Sequence, residues 1–153
     1  MAVQQFLHVS ICVSDPQKSV PFYRDVLGFE VVEVQRYKGP GPSTVLDVGD
    51  AELTVWLLQN EGYRLELIHF ERPASEPLSQ APRTNTIGLS HLTVGVDDPD
   101  RTIRELEARG VKVRKHTRGT FVESAPGYQF LFEDPDGLLI EAYTMWPDGE
   151  KPY

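Results

Sequence analysis

The sequence predicts an α+β fold built from two tandem copies of one βαβββ unit. The segment FLHVSICVSDP near the start is repeated as LSHLTVGVDDP in the middle of the chain, and such a repeat indicates one supersecondary unit used twice. In both copies apolar residues alternate after a histidine, which is typical of a half-buried strand. In both copies an Asp-Pro pair then opens a helix, because aspartate caps the helix and proline suits its first position.

The first copy is expected to run strand, helix and then three strands. Its helix begins after Asp15-Pro16 and ends before Gly28, which reads as the glycine that commonly closes a helix. An apolar stripe including Phe22 and Tyr23 lies along this helix. The predicted bounds are 5–13 for the first strand, 16–27 for the helix, and 29–37, 51–59 and 63–70 for the later strands.

The second copy follows the same order. Its helix begins after Asp98-Pro99 and ends before Gly110. The last strands of the two copies match as GYRLE and GLLIE, each with a glycine four residues before a glutamate. The predicted bounds are 89–97 for the first strand, 99–109 for the helix, and 111–117, 128–133 and 138–144 for the later strands.

A segment without periodicity, rich in Pro, Ser and Thr, separates the copies and is expected to be an extended linker. The predicted division is a first module over residues 1–72, the linker over 73–87, a second module over 88–145 and a C-terminal tail over 146–153. The length of 153 residues suits this compact two-module chain and excludes a large multidomain protein.

Composition excludes several function classes. The formal net charge of −8 opposes nucleic acid as a partner, because phosphate binding relies on Lys and Arg. The single cysteine, Cys12, excludes an intramolecular disulfide and a thiolate zinc cluster. No apolar run is long enough for a membrane helix, and the start lacks the layout of a secretory signal. We therefore expect a cytoplasmic protein with no membrane partner.

Four residues at matching positions of the repeat are candidate metal ligands, namely His8, Glu66, His91 and Glu141. Strand alternation sends Leu7, Val9, Ile11 and Val13 toward the helices, so His8 and Ser10 face the other side of the sheet. Two imidazoles and two carboxylates suit one divalent Ni, Co, Fe, Mn or Zn ion, with positions left open for water or substrate. The other two histidines, His69 and His116, are predicted to be structural or surface residues.

The segments HVSICVSDPQKSVPFYRDVLGFEVV, YRLELIHF, GLSHLTVGVDDPDRTIRELEARGVKV and FEDPDGLLIEAY resemble the vicinal oxygen chelate superfamily, also called the glyoxalase/bleomycin-resistance/dioxygenase group. The resemblance covers nearly the whole chain. It implies a glyoxalase-like fold in which the two modules form a cupped mixed sheet around one metal held by His8, Glu66, His91 and Glu141. It also implies a small organic substrate and a homodimer, with modules paired either within a chain or across chains.

The resemblance further implies a lyase or isomerase in which the metal stabilises an enediolate or enolate of an α-oxygenated carbonyl compound, with Glu141 or Glu66 as the base. The alternatives are a drug-sequestering resistance protein without chemistry, an epimerase and a dioxygenase of the same superfamily. Leu131 stands where the ring-cleaving dioxygenases have a tyrosine, which disfavours that branch. The first strand offers Ser10 and Cys12 where glyoxalase I has an arginine, which puts glutathione as substrate in doubt.

The stretch from Lys38 to Asp50 makes the middle of the first copy longer than that of the second. With Trp56 and Tyr143 on nearby strands, it would form a lid and an aromatic wall around a mid-sized substrate. A plain surface loop is the alternative interpretation of the same stretch.

Overall fold

The structure is a computed structural model that describes residues 3–78, 83–120 and 128–144. The chain divides into two compact units, Met1–Pro77 and Leu78–Tyr153. The division falls inside the predicted linker, whose bounds stay a prediction, and the predicted tail at 146–153 lies outside the described residues. Over the described part of the chain, no helix is long and apolar enough to span a lipid bilayer.

The elements of the first unit are β1 (Val9–Cys12), α1 (Pro16–Pro21) with a π-helical continuation (Phe22–Val26), β2 (Glu30–Lys38), α2 (Pro40–Leu46), β3 (Glu52–Asn60) and β4 (Tyr63–Arg72). Its four strands form a mixed sheet in the order β1-β4-β3-β2. Strand β1 runs parallel to β4, and the other neighbours are antiparallel.

The elements of the second unit are β5 (Leu92–Val96), α3 (Pro99–Ala108), β6 (Val113–Gly119), β7 (Gln129–Glu133) and β8 (Leu139–Thr144). They repeat the topology of the first unit, with strands in the order β5-β8-β7-β6 and β5 parallel to β8. The α+β fold of two βαβββ units predicted from the repeat is therefore confirmed.

The predicted helix signals act as expected in both units. Asp15 accepts a hydrogen bond from the Gln17 amide at 2.9 Å, and Asp98 accepts one from the Arg101 amide at 2.9 Å. Gly28 and Gly110 follow the two helices with φ values of 74° and 76°, a left-handed conformation that costs glycine little. Matching caps at both ends fix where each helix meets its sheet.

The first helix differs from the prediction in one respect. It was expected to be a single α-helix over 16–27, but the α-helical part ends at Pro21 and a π-helical turn continues from Phe22 to Val26. Proline lacks the amide hydrogen of the ordinary helical bond, so the turn around Pro21 widens. Phe22 and Tyr23 nevertheless remain buried, with their rings edge-to-face at 5.3 Å between centroids.

Each unit has its own buried apolar centre. In the first unit Val13, Tyr23, Leu58 and Leu67 have no exposed surface. In the second unit the fully buried residues are Leu139, Ile140 and Ala142 on β8, with Phe130 and Phe132 of β7 each 1% exposed. The last strand of each unit thus runs through the middle of a packed sheet, which gives the glutamate on that strand a rigid support.

Candidate metal centre

The two candidate histidines lie at the same place in their units. His8 directly precedes β1 and His91 directly precedes β5, so each stands at the end of its strand rather than inside it. The prediction of a first strand over 5–13 was therefore too long. Leu7, which was expected to face the helices, is 60% exposed and lies before the strand.

The parallel pairing of the first and last strands brings the predicted ligands of the first unit together. His8 Nε2 lies 3.6 Å from Glu66 Oε2, and the two side chains are 36% and 22% exposed. Ser10 pairs with Glu66 in the strand register, and its hydroxyl donates to Glu66 Oε2 at 2.6 Å. A carboxylate and an imidazole nitrogen therefore converge at a half-exposed edge of the sheet.

The second unit reproduces this arrangement. His91 Nε2 lies 3.6 Å from Glu141 Oε2, with side chains 30% and 14% exposed. Thr93 is the register partner of Glu141 and donates its hydroxyl hydrogen to Oε2 at 3.1 Å. The internal repeat thus duplicates the histidine–glutamate pair, and the hydroxyl that bonds its glutamate, as well as the fold.

The hydrogen bonds around His91 indicate which ring nitrogen is free to bind a metal. Ser90 Oγ donates its single hydrogen to the Thr84 carbonyl at 2.9 Å and lies 2.9 Å from His91 Nδ1. Because that hydrogen is already used, the bond to the ring is best satisfied when Nδ1–H donates to Ser90 Oγ. This assignment leaves the lone pair on Nε2, the nitrogen that faces Glu141 and could bind a metal.

The structure brings the four predicted ligands together as two pairs, one pair within each unit. Across residues 3–78, 83–120 and 128–144, no group of three or more His, Cys, Asp and Glu side chains is placed to hold a metal ion. The donors in each pair, an imidazole nitrogen and a carboxylate oxygen, suit the divalent metals named above. The four-residue ligand set stays a prediction.

The two remaining histidines have other surroundings. His69 lies on the face of β4 opposite Glu66, and its Nδ1 donates to the Val13 carbonyl at 3.2 Å. This bond connects β4 to the residue that follows β1, so His69 has a structural role. His116 is an exposed residue of β6.

Apolar side chains line the sheet face that carries Glu66. Leu53 and Val55 of β3 are buried there with Ala51, and Val48, Ile68 and Phe70 pack against them. The stretch from Lys38 to Asp50 was expected to be a lid or a surface loop. It contains the short helix α2, and its Val48 contacts this cluster.

The predicted aromatic wall is only partly supported. Tyr143 lies two residues after Glu141 on β8 and shares its face of the sheet. Trp56 pairs with Leu67, whereas Glu66 pairs with Leu57, so Trp56 lies on the opposite face from Glu66. The apolar cluster on the face of Glu66 therefore contains Phe70 but not Trp56, and the placement of Trp56 beside the candidate site was wrong.

A shallow groove adjoins the end of the sheet near Glu66. It is lined by Gln5, Phe6, Leu7, Gln59, Gly62 and Arg64. Arg64 lies two residues before Glu66 on the same strand, so it faces the same side of the sheet. The groove combines exposed apolar surface with one cation and two amides.

The second unit also contains a buried carboxylate, that of Glu133, which was not predicted from the sequence. Glu133 is 9% exposed and accepts hydrogen bonds from Lys112 at 2.9 Å and Arg114 at 2.8 Å. Burial alone would raise the pKa of Glu133, but the bonds to the two cations outweigh it and hold the pKa below its usual value. Glu133 stays ionised and ties β6 to β7.

The sequence predicts that Ser10 lies on the face of the candidate ligands, but it indicates no role for Ser10, Thr93 or Ser90. Each of these hydroxyls contacts one of the candidate ligands. A signal was available for two of them, since residues two apart in a strand share a face and both histidines are followed at that distance by a hydroxyl residue.

Comparisons with known proteins agree with the fold. Residues 5–142 match the model of the glyoxalase/bleomycin resistance protein/dioxygenase superfamily. The Escherichia coli (strain K12) protein YaeR is 32% identical over 95% of this chain and 99% of its own length. A probable lactoylglutathione lyase of Synechocystis is 30% identical over 88% of this chain and 91% of its own length.

Among solved structures, a glyoxalase family protein from Bacillus cereus superposes with a TM-score of 0.79. It is 18% identical, and the match covers 94% of this chain and 95% of that protein. This likeness bears on the fold alone, while the family match extends over nearly all of the sequence. The chain belongs to the glyoxalase/bleomycin resistance protein/dioxygenase superfamily.

Proposed function

We propose that this chain is a metal-dependent lyase or isomerase that acts on an α-oxygenated carbonyl compound. The observation that carries the proposal is the histidine–glutamate pair at the same position of both units, at 3.6 Å in each. A binding protein that only encloses its ligand has no need of four such side chains. The probable lactoylglutathione lyase among the relatives is in keeping with this class of reaction.

In the proposed site, Nε2 of His8 and His91 and the carboxylates of Glu66 and Glu141 hold one divalent metal of the Ni, Co, Fe, Mn or Zn series. When bound, such a metal acts as a Lewis acid that lowers the pKa of a C–H group beside a carbonyl and stabilises the enediolate or enolate. A metal held by these four residues would supply its Lewis acidity to substrate oxygens.

One of the two glutamates accepts the proton from the carbon beside the carbonyl and returns it to the neighbouring carbon. A carboxylate is suited to this step because it can accept a proton and release it again. The partly exposed positions of Glu66 and Glu141, at 22% and 14%, allow a proton to be exchanged while the strand behind them stays fixed. The groove beside Arg64 lies near Glu66 and would contact only part of a mid-sized organic substrate.

The experiment is proton exchange at carbon. The full chain, loaded in turn with each candidate metal, is incubated in deuterated water with hemithioacetals, α-hydroxy ketones and 2-substituted acyl thioesters. We expect metal-dependent deuterium uptake at the carbon beside the carbonyl, followed by NMR, with the hemithioacetals or the α-hydroxy ketones. Uptake with the acyl thioesters alone would instead support the epimerase alternative. Glu141→Gln and Glu66→Gln, each assayed with its metal content measured, identify the base as the variant that keeps metal but loses exchange.

Two outcomes contradict the proposal. Undiminished exchange in both glutamine variants would exclude a glutamate base. Tight binding of a substrate-like or drug-like molecule without exchange under any metal would instead support a sequestering protein of the resistance type.

A further inference from the structure

The positions of Ser10 and Thr93 are equivalent in the internal repeat. Each lies two residues after a candidate histidine, whose Nε2 approaches the glutamate of the same unit to 3.6 Å. The parallel ladders place Ser10 opposite Glu66 and Thr93 opposite Glu141. Histidine, hydroxyl and glutamate therefore share one face in each unit, from two neighbouring strands.

The two hydroxyls contact the same carboxylate atom in both units. Ser10 Oγ donates to Glu66 Oε2 at 2.6 Å, and Thr93 Oγ1 donates to Glu141 Oε2 at 3.1 Å. In each unit Oε2 is also the oxygen that lies 3.6 Å from the histidine Nε2. The bond therefore fixes which oxygen faces the imidazole and uses one of its lone pairs.

This bond matters because the last torsion of a glutamate side chain is broad. Without a partner the carboxylate turns freely between its two oxygens, and a metal that binds it must order that torsion. A hydroxyl that already holds the carboxylate reduces this cost and sets the direction of the remaining lone pairs. Partners of this kind beyond the ligands typically change metal affinity by about 10- to 100-fold when they are removed.

We propose that Ser10 and Thr93 are positioning residues that hold Glu66 and Glu141 in the orientation needed to bind the metal. The inference rests on the proposed function, since it concerns the same four ligands. It extends that function by assigning a paired hydroxyl to each carboxylate. In each unit the site then consists of a histidine, a serine or threonine two residues later, and a glutamate on the neighbouring parallel strand.

The chain offers a matched control for a plain structural role. Thr54 of β3 donates to Glu71 Oε1 at 2.6 Å, which is the same kind of bond on the same sheet. Thr54 pairs with His69, so it lies on the face away from Glu66. Thr54 is 3% exposed, so removing its hydroxyl takes away a hydroxyl–carboxylate bond from a more buried position without touching a candidate ligand.

The test is cobalt(II) binding to the full chain, prepared metal-free and titrated against a competing chelator. Ser10→Ala and Thr93→Val are each expected to weaken cobalt affinity about 10- to 100-fold and to change the visible spectrum of the bound ion. The conservative exchanges Ser10→Thr and Thr93→Ser keep a hydroxyl and are expected to bind within about threefold of the wild type. Thr54→Val is expected to bind cobalt as the wild type does.

Ser10 and Thr93 are exposed, so their variants are expected to fold, which thermal unfolding of the metal-free proteins checks. If the wild type binds cobalt and both hydroxyl-free variants match its affinity and spectrum, this inference fails while the proposed function stands. Equal weakening in Thr54→Val would also overturn it, because the effect would then be general. If the wild type binds no cobalt, the proposed metal function fails, and this inference fails with it.

Discussion

Replacing Glu133 with glutamine tests how the second unit tolerates a buried charge near the candidate site. Glu133 accepts two charge-assisted hydrogen bonds, from Arg114, which is 20% exposed, and from Lys112, which is 74% exposed. A hydrogen bond to a charged group contributes roughly 1.5–3 kcal/mol, whereas an exposed ion pair contributes about 0–1 kcal/mol. Glutamine keeps the shape and one acceptor but loses the charge, so we expect Glu133→Gln to lower the free energy of unfolding at pH 7 by about 2 kcal/mol.

The effect has a defined pH dependence. The folded-state pKa of Glu133 is lowered, so its contribution to stability is present above the unfolded-state pKa of about 4.3 and is lost as the pH falls through the folded-state value. Glutamine does not titrate. The difference in unfolding free energy between wild type and Glu133→Gln is therefore expected to be constant from pH 7 to about pH 5 and to become smaller below about pH 4.3.

Urea denaturation at several pH values, followed by circular dichroism, measures both quantities. Glu107→Gln is the matched control, because Glu107 bonds Lys115 at 2.7 Å with both side chains largely exposed, and a change below about 0.5 kcal/mol is expected there. If Glu133→Gln lost as little unfolding free energy as the control, the claim that Glu133 makes a stabilising buried ion pair would be refuted. A difference that widened in acid would refute the sign of the pKa shift.

Three further predictions concern the core, the site and the assembly. Leu67→Ala removes a side chain with no exposed surface and is expected to cost about 2–5 kcal/mol of unfolding free energy in urea denaturation, whereas a cost below about 1 kcal/mol would contradict the packing described. Ser90→Ala removes the acceptor of His91 Nδ1–H, so cobalt(II) affinity in a chelator competition is expected to fall about tenfold, and unchanged affinity would remove the tautomer argument. We expect a homodimer of the 17.3 kDa chain in size-exclusion chromatography with light scattering, and a monomer at all concentrations would contradict this.

The overall fold could be predicted because its signals are local and occur twice. Asp-Pro pairs, closing glycines and alternating apolar residues act within a few residues of where they stand. The helix α2 at Pro40–Leu46 was missed because GPGPST reads as a loop by composition. Pro40 and Pro42 lie in the first turn of that helix, where a missing amide hydrogen costs nothing.

The facing of residues on β3 could not be predicted for a different reason. Its sequence ELTVWLLQN is apolar at both odd and even positions, so alternation does not tell which side Trp56 faces. The face follows only from the register with β4, which pairs Trp56 with Leu67. Register depends on contacts between strands and is not written in either strand alone.

The candidate site shows the same limit. The repeat identified His8, Glu66, His91 and Glu141, because matching positions are visible in the sequence. The hydrogen bonds from Ser10 and Thr93 depend on parallel pairing between strands that are distant along the chain. Such partners become visible only when the register is known.

The most direct test of the central claim is the metal content of the full chain, measured by plasma mass spectrometry after purification without an affinity metal. One centre built from both histidine–glutamate pairs predicts about one transition metal per chain in the wild type, and its loss in His8→Ala and equally in His91→Ala. No metal in the wild type, even after reconstitution, would contradict the claim. Metal that persists at full occupancy when either histidine is replaced would also contradict a single centre that uses both pairs.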